Sequence, residues 1–322
     1  MEWVNEILVR EFVFLGFSSL AGLQQLPFIV FLLIYLFTLS TNSITISTIV
    51  LDRALHIPMY FFLAALSCFE TCYTFILVPK MLVDLLAQKK TISFLSCSIQ
   101  MFSFLFLGCS HSFLLAVMGY DRCVAICNPL CYTYSILMSW QVCGELAATC
   151  AVIGFLFSLI GSLLVFQLPF CGPNKINHYF CDISAVIQLA CTDTYINEVV
   201  IFIGGVLALM VPLAFTCISY GFIARTILRI PSAEGKRKAF STWASHLTVV
   251  IVHYGCASFV YLRPSSKYSS SKDRLVTVVY TVVTPLLNPL VYSLRNKDVQ
   301  MSIQKVTGRK GFYPKDISIT IK

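Results

Sequence analysis

Charge is what this chain has least of. Of its 322 residues only 12% are Asp, Glu, Lys or Arg, while 57% are hydrophobic; soluble domains carry about a quarter charged residues. That balance excludes an ordinary water-soluble domain and implies a chain solvated largely by lipid. No internal repeat, low-complexity stretch or change of composition is present, which argues against a solenoid or a second folded domain. No basic segment with a cleavage site precedes the first apolar run, so a cleaved signal peptide is not expected. An N-x-S/T glycosylation sequon is also missing; Asn5, for example, is followed by Glu6 and Ile7.

What is present are long, continuous apolar runs. A helix needs about 20 largely apolar residues to cross the hydrocarbon core, and seven such runs occur, at about 26–50, 58–78, 94–120, 144–168, 199–223, 241–262 and 275–294. Their length and lack of alternation favour helices over a barrel. The expected architecture is an all-α membrane protein, a seven-transmembrane helix bundle over 26–294. It is flanked by an N-terminal segment, 1–25, and a tail, 295–322. A short polar link with Lys80, Asp84, Lys89 and Lys90 would join the second and third spans, and the longest connection runs from Pro169 to Glu198.

Seven spans place the termini on opposite faces. Of the 23 Lys and Arg residues, 14 fall on the face shared with the C-terminus, including Arg53, Arg122, Arg225, Arg229, Lys236 and Arg237, against 9 on the other. The positive-inside bias therefore predicts a cytoplasmic tail and an extracellular N-terminus. The net charge of +8 flanks membrane spans and interleaves with no stacking platform. It points to inner-leaflet membrane lipid or an acidic partner and to no nucleic acid.

Four of the 14 cysteines, Cys97, Cys171, Cys181 and Cys191, lie on the face assigned as external. An oxidising compartment permits disulfides there, and four cysteines allow three pairings that the sequence leaves open. The others sit in or beside spans, where cysteine behaves as a small hydrophobe.

Three clusters of polar residues stand out against the apolar background. MGYDRCVAICNPLCY, Met118 to Tyr132, places Asp121 and Arg122 where the third span meets water, then closes on Asn128 and Pro129. Charge at the hydrocarbon edge is costly unless paired or hydrated, so these two should neutralise one another, as an anchor or as a switch. Pro285, Asn288, Pro289 and Tyr292 interrupt the seventh span, where proline removes a backbone hydrogen bond and kinks a helix. Glu70 and His111 are ionisable near the middle of their spans and should face an internal partner.

Five motifs together resemble the olfactory, or odorant, receptors of the class II tetrapod type, a group of rhodopsin-like G-protein-coupled receptors. They are LHIPMYFFLAALS from Leu55, MGYDRCVAICNPLCY from Met118, INHYFCD from Ile176, KAFSTWASHLTVV from Lys238 and PLLNPLVYSLRNKDV from Pro285. HYGCAS and YLRP are most similar to the family-ten subgroup. The resemblance spans about Glu11 to Gln304.

The resemblance implies a receptor rather than an enzyme, without cofactor or metal, at the plasma membrane and in olfactory cilia. It would bind a small-molecule odorant, activate a stimulatory or olfactory-type G-protein to raise cyclic AMP, and need a trafficking chaperone. Asp121 and Arg122 would form the resting lock; Asn288, Pro289 and Tyr292 a hinge, with Tyr220 as its partner. Disulfides would join Cys97 to Cys181 and Cys171 to Cys191, removing the thiolate from the HxxCD pattern at His178 that has been proposed as a metal site. Glu70 stands at the family's acidic site, and His111 where many members carry a second acid that helps hold sodium. A hydrogen-bonded Glu70 and His111 pair, which could make activation pH-sensitive, is expected instead.

The same alignment of motifs places the ligand pocket in the upper halves of four spans. Span three would offer Phe104, Leu105, Gly108 and Cys109, and span five Gly204 and Ala208. Span six would offer Tyr254, Ala257, Ser258 and Tyr261, and span seven Val278 and Thr281. This set is uncharged and suits a small, neutral, mainly apolar ligand. The chain departs from the family pattern at Thr41, Cys123 and Trp243, all near the coupling end, and the absent sequon is expected to burden surface delivery. Two other functions fit less well. A membrane zinc hydrolase would need about three converging ligands, and His246 and His253 lie about two helical turns apart. A channel or transporter would want repeated halves or several pore-lining charges.

Overall fold

The computed structural model describes residues 9–16, 24–129, 138–262, 277–291 and 297–306. It is a bundle of long helices with a small sheet at one end.

Helix α1, Gln25–Leu51, stops at Asp52, whose side chain accepts the Ala54 N–H at 3.2 Å and starts a 3₁₀ turn, Arg53–Leu55. Helix α2, Pro58–Leu86, opens on proline at its first position, where the missing N–H has no helical partner to lose. Ser93 caps α3, Phe94–Cys127, by accepting the Ser96 N–H at 3.1 Å. Ser139 does the same for α4, Trp140–Phe166, at 3.3 Å from Val142 N. Then come α5, Tyr195–Arg229, and α6, Ala233–Tyr261, the latter capped by Ser232. A π-helical turn, Val279–Val283, leads into α7, Thr284–Pro289. Amphipathic α8, Lys297–Val306, ties back to the first turn through Lys305 and Asp52, 2.9 Å apart.

Five of these helices, α1 to α5, are long and apolar enough to cross a bilayer, and α6 has an apolar stretch from His246 to Tyr261. The first half of α6, AEGKRKAFSTWAS, carries its basic residues and precedes that apolar stretch. Helices outrun the apolar segments because backbone hydrogen bonding does not end at the membrane surface. The link expected between the second and third spans is a case in point: α2 continues through Pro79 to Leu86, with Lys80 and Asp84 in an i,i+4 ion pair at 2.5 Å.

Helix α3 is the axis of the bundle and packs on α2, α4, α5 and α6. Its 34 residues span about 51 Å, so it reaches from the sheet end to the opposite surface. Its seam with α4 is lined by small residues. A Cβ on Gly154 would lie 2.1 Å from Ser110 Oγ and 2.9 Å from the Phe106 carbonyl oxygen. One turn along, the Ser158 hydroxyl donates to the Phe102 carbonyl. Lipid offers no hydrophobic drive between helices, so close backbone approach and such hydrogen bonds hold them.

The sequence shows no strands, yet the end carrying the cysteines has three. Strand β1, Glu11–Phe14, pairs antiparallel with β2, Thr91–Ser93, and parallel with β3, Lys175–Ile176, in the order β2-β1-β3. Phe12 is fully buried against Phe94 and Phe170, at ring distances of 6.0 and 5.7 Å. Gly16 follows, with its N–H donating to the His178 carbonyl at 3.2 Å; a Cβ there would meet Tyr179 N at 2.6 Å. Disulfides join Cys97 to Cys181 and Cys171 to Cys191. The first ties the connection between α4 and α5 to the start of α3. That connection, 167–194, dips into the bundle mouth: Tyr179, Phe180, Ile183, Val186 and Ile187 are all buried.

Candidate functional site

Beneath this connection lies a cavity of about 690 Å³, bounded mainly by α3, α4, α5 and α6. Its size is that of a small-molecule site. Gly108 leaves room on α3, where a Cβ would meet only Tyr280 Oη, at 3.9 Å. The roof is Ile183, Ser184 and Ile187, and Phe180 stacks on Phe104 at 4.7 Å between ring centres. Of the expected pocket residues, Phe104, Leu105, Gly108, Cys109, Gly204, Ala208, Ala257 and Tyr261 line the cavity.

The other four do not. Tyr254 is buried and donates to the Ser112 carbonyl at 2.7 Å. Thr281 is hydrogen-bonded to Tyr179 Oη at 2.8 Å, which fixes the connection to the seventh span. Val278 packs against the main core, and Ser258 is half-buried with its carbonyl accepting the Leu262 N–H. Motif alignment places a residue along a span but does not show which way its face turns.

Ser112, which shares a helical face with Leu105, Gly108 and Cys109 by its spacing, also lines the cavity; sequence reasoning missed Phe157, Gly161, Tyr280 and Glu198. Glu198 corrects the expectation of an uncharged lining. It sits in the first turn of α5, where its N–H donates to the Thr194 carbonyl at 2.8 Å and its carboxylate accepts the Thr194 hydroxyl at 2.7 Å. An acid in a helix's first turn suits the macrodipole. An acid in a helix's first turn is visible in the sequence, but it gives no sign of a cavity alongside.

A second, small cavity of about 30 Å³ adjoins the polar centre of the bundle, and Gly108 and Tyr280 border both cavities. Here Glu70 and His111 come together with a third partner. The Asn288 amide donates to Glu70 Oε1 and lies 3.2 Å from His111 Nε2, while His111 Nε2 stands 3.4 Å from Glu70 Oε1. His253 packs on His111 with ring centres 4.3 Å apart and bonds to Ser112 Oγ at 2.9 Å. Helices α2, α3, α6 and α7 thus meet through one polar cluster. Buried polar groups in lipid need such partners. Pro285, one turn before Asn288, presents its carbonyl to Asn42 of α1 at 3.4 Å.

At the opposite end of α3, Arg122 donates to Asp121 Oδ2 at 2.5 Å, and Asp121 is almost fully buried. Tyr220 of α5 pairs with His246 Nδ1 of α6, at 2.6 Å, and Trp243 lies edge-on to it at 5.8 Å. Pro289 ends α7; Tyr292 lies outside the described residues. Cys123 Sγ stands 3.8 Å from Cys127 Sγ, which contacts Thr226 at 3.1 Å.

His246 is engaged with Tyr220, apart from the packed pair His111 and His253, which bond to Asn288 and Ser112 respectively. Among the described residues no three His, Cys, Asp or Glu side chains are grouped to hold a metal ion. Cys181, of the HxxCD pattern, is bonded to Cys97, and the His178 ring stacks on Tyr179 at 4.6 Å.

Comparison with known proteins agrees with this geometry. The olfactory receptor family profile matches residues 31–310. The chain is 65% identical to human olfactory receptor 10R2 over 307 residues, covering 95% of this chain and 91% of that one. It is 62% identical to human olfactory receptor 10K2, covering 96% and 98%, and 62% identical to human olfactory receptor 10K1, covering 98% and 99%. The chain therefore belongs to the olfactory receptor family, rhodopsin-like G-protein-coupled receptors, multi-pass proteins of the plasma membrane that respond to small molecules and are not enzymes.

Proposed function

We propose that this receptor binds a small, neutral, mainly apolar odorant in the 690 Å³ cavity and activates a stimulatory, olfactory-type G-protein, raising cyclic AMP. The observation that carries the reading is the shared wall of the two cavities. A ligand touching Gly108 and Tyr280 presses on the side chains that enclose Glu70, His111 and His253. From there α3 runs unbroken to Asp121 and Arg122. A ligand that fits better when α6 and α7 are repacked shifts the population toward the state in which Arg122 leaves Asp121. Asn288, Pro289 and Tyr292 form the hinge of that change, and Tyr220 with His246 holds α5 to α6 at rest. The cavity lining is mainly apolar, with hydroxyls from Ser112, Tyr261 and Tyr280 and the Glu198 carboxylate to receive a hydrogen-bond donor on the ligand.

The sheet end with its disulfides is external, and the Asp121 end faces the cytoplasm of olfactory cilia, where basic residues also meet inner-leaflet lipid. Without a sequon the chain depends on a trafficking chaperone to reach the surface.

The test is cyclic AMP in cells co-expressing the receptor, a trafficking chaperone and the olfactory G-protein, challenged with neutral volatiles, with Arg122→Ala measured at equal surface level. A response in the wild type that the variant loses supports the reading. A response that the variant retains in full overturns the role given to Arg122. A carboxylate or an amine as the strongest agonist overturns the ligand class.

A further inference from the structure

Among the described residues, the ligand cavity is roofed by the connection between α4 and α5, has exposed Tyr195 at its rim, and opens widely to the side past α5. Above it, the connection between α4 and α5 contributes buried Ile183 and Ile187 and half-buried Ser184, and is held down by the Cys97 to Cys181 bridge and by the pairing of β1 with β3. To the side the arrangement is different. Every residue of α5 from Glu198 to Gly205 borders the cavity. Consecutive residues point around the whole circumference of a helix, so the space runs past α5 from its inner to its outer face.

The outer part of that space lies at the seam with α4. Ile160 of α4 and Val200 and Ile203 of α5 line it while remaining 55%, 42% and 52% exposed. Helices α4 and α5 each pack extensively on α3 but only lightly on one another. The seam is widened by glycines. A Cβ at Gly204 would meet only Phe157 Cδ1, at 4.0 Å, and one at Gly205 nothing within 4 Å. Both helices are apolar enough to cross a bilayer, so the solvent at this opening is hydrocarbon.

The geometry points to the α4 and α5 seam as the ligand's entrance: an apolar molecule dissolved in the bilayer passes between Ile160 and Ile203, rounds Gly204 and reaches Gly108 and Cys109. This inference rests on the reading of the cavity as the ligand site. It assigns the bilayer as the phase from which ligand is taken up. Membrane partition of a ligand, as well as its fit, then sets the rate at which the receptor fills.

Cys109 is a native thiol inside the cavity, and its alkylation tests the route without a known agonist or any signalling. Purified wild-type receptor in lipid nanodiscs is treated with N-cyclohexylmaleimide or with a sulfonated, membrane-impermeant maleimide of similar size. Labelling at Cys109 is followed by peptide mass spectrometry, which separates it from the other cysteines. A fixed charge must be desolvated to cross the seam, so the sulfonated reagent is expected to be at least about tenfold slower. The variant Ile160→Trp/Ile203→Trp narrows the seam at two lipid-facing positions and should slow the neutral reagent severalfold. Equal labelling by the two reagents, or a neutral rate unchanged in the variant, overturns the lateral route and leaves the site reading standing. Labelling by neither reagent, while the much smaller methyl methanethiosulfonate does modify Cys109 and so shows the thiol to be reactive, overturns both, because ligand-sized molecules then do not reach the cavity.

Discussion

Asp182 shows how one side chain can record the fold in its titration. It stands at the start of the turn Ile183–Ile187, outside the spans, and its carboxylate accepts the Ser184 N–H at 3.0 Å. Burial pushes its pKa up from 3.8 to about 6, against the lowering effect of the Ser184 and Ala185 N–H groups. Below about pH 4 folded and unfolded chains both carry the proton, and the site adds no pH dependence. Between about 4 and 6 the unfolded chain ionises first, so stability falls as pH rises, and above 6 the loss is complete at about 3 kcal/mol. In thermal unfolding of purified receptor, wild type should therefore lose stability relative to Asp182→Asn as pH rises from 4 to 7. Parallel curves for the two proteins would contradict the buried carboxyl. Burial of this kind was not legible in the sequence, where INHYFCD looks like an exposed loop. Glu70 and His111 were legible as ionisable groups in apolar runs that need partners. That Asn288 would join both was not, because periodicity within one span carries no register between spans far apart in the chain.

At the scale of elements, the contact between α3 and α4 depends on what is missing from Gly154. Any Cβ there collides with Ser110 and with the Phe106 carbonyl, and backbone atoms in a packed helix cannot step aside cheaply. Gly154→Ala should destabilise the receptor by about 1–3 kcal/mol, the usual cost of overpacking, seen as a lower melting temperature. Adding Ser110→Gly removes the nearest obstacle and should restore part of it. No loss in the single variant would mean that α3 and α4 stand further apart than described. The helices themselves were legible because apolar runs of membrane length have few other uses. Their ends were less so: α2 extends eight residues past its expected limit, 78, to Leu86, since hydropathy marks the hydrocarbon and not the helix. The strands were invisible, being two to four residues long and defined by pairing across separate segments.

For the whole molecule, three sites lie along one axis: the cavity near the sheet end that we propose takes the ligand, a polar cluster at the centre, and the Asp121 and Arg122 pair at the far end. The motifs in the sequence located the last two, whose chemistry is carried by rare polar residues in apolar surroundings. The cavity was legible only in part, because it is shaped by glycines, by the dipping connection and by the seam of α4 and α5, none of which has a polar signature. Glu198 is the clearest case, as an acid in the first turn of α5 that is also a wall of the cavity. The central claim is that this cavity is where agonist acts. Its most direct test is agonist-stimulated nucleotide exchange on the olfactory G-protein by receptor membranes carrying wild type or Gly108→Leu. A Cβ at position 108 would make only an ordinary contact, with Tyr280 Oη at 3.9 Å, so the variant should fold, and its added carbons occupy the cavity. Agonist potency is expected to fall about tenfold or more, equivalent to about 1.4 kcal/mol of lost binding, at unchanged surface level. An unchanged potency would place the agonist elsewhere and contradict the account.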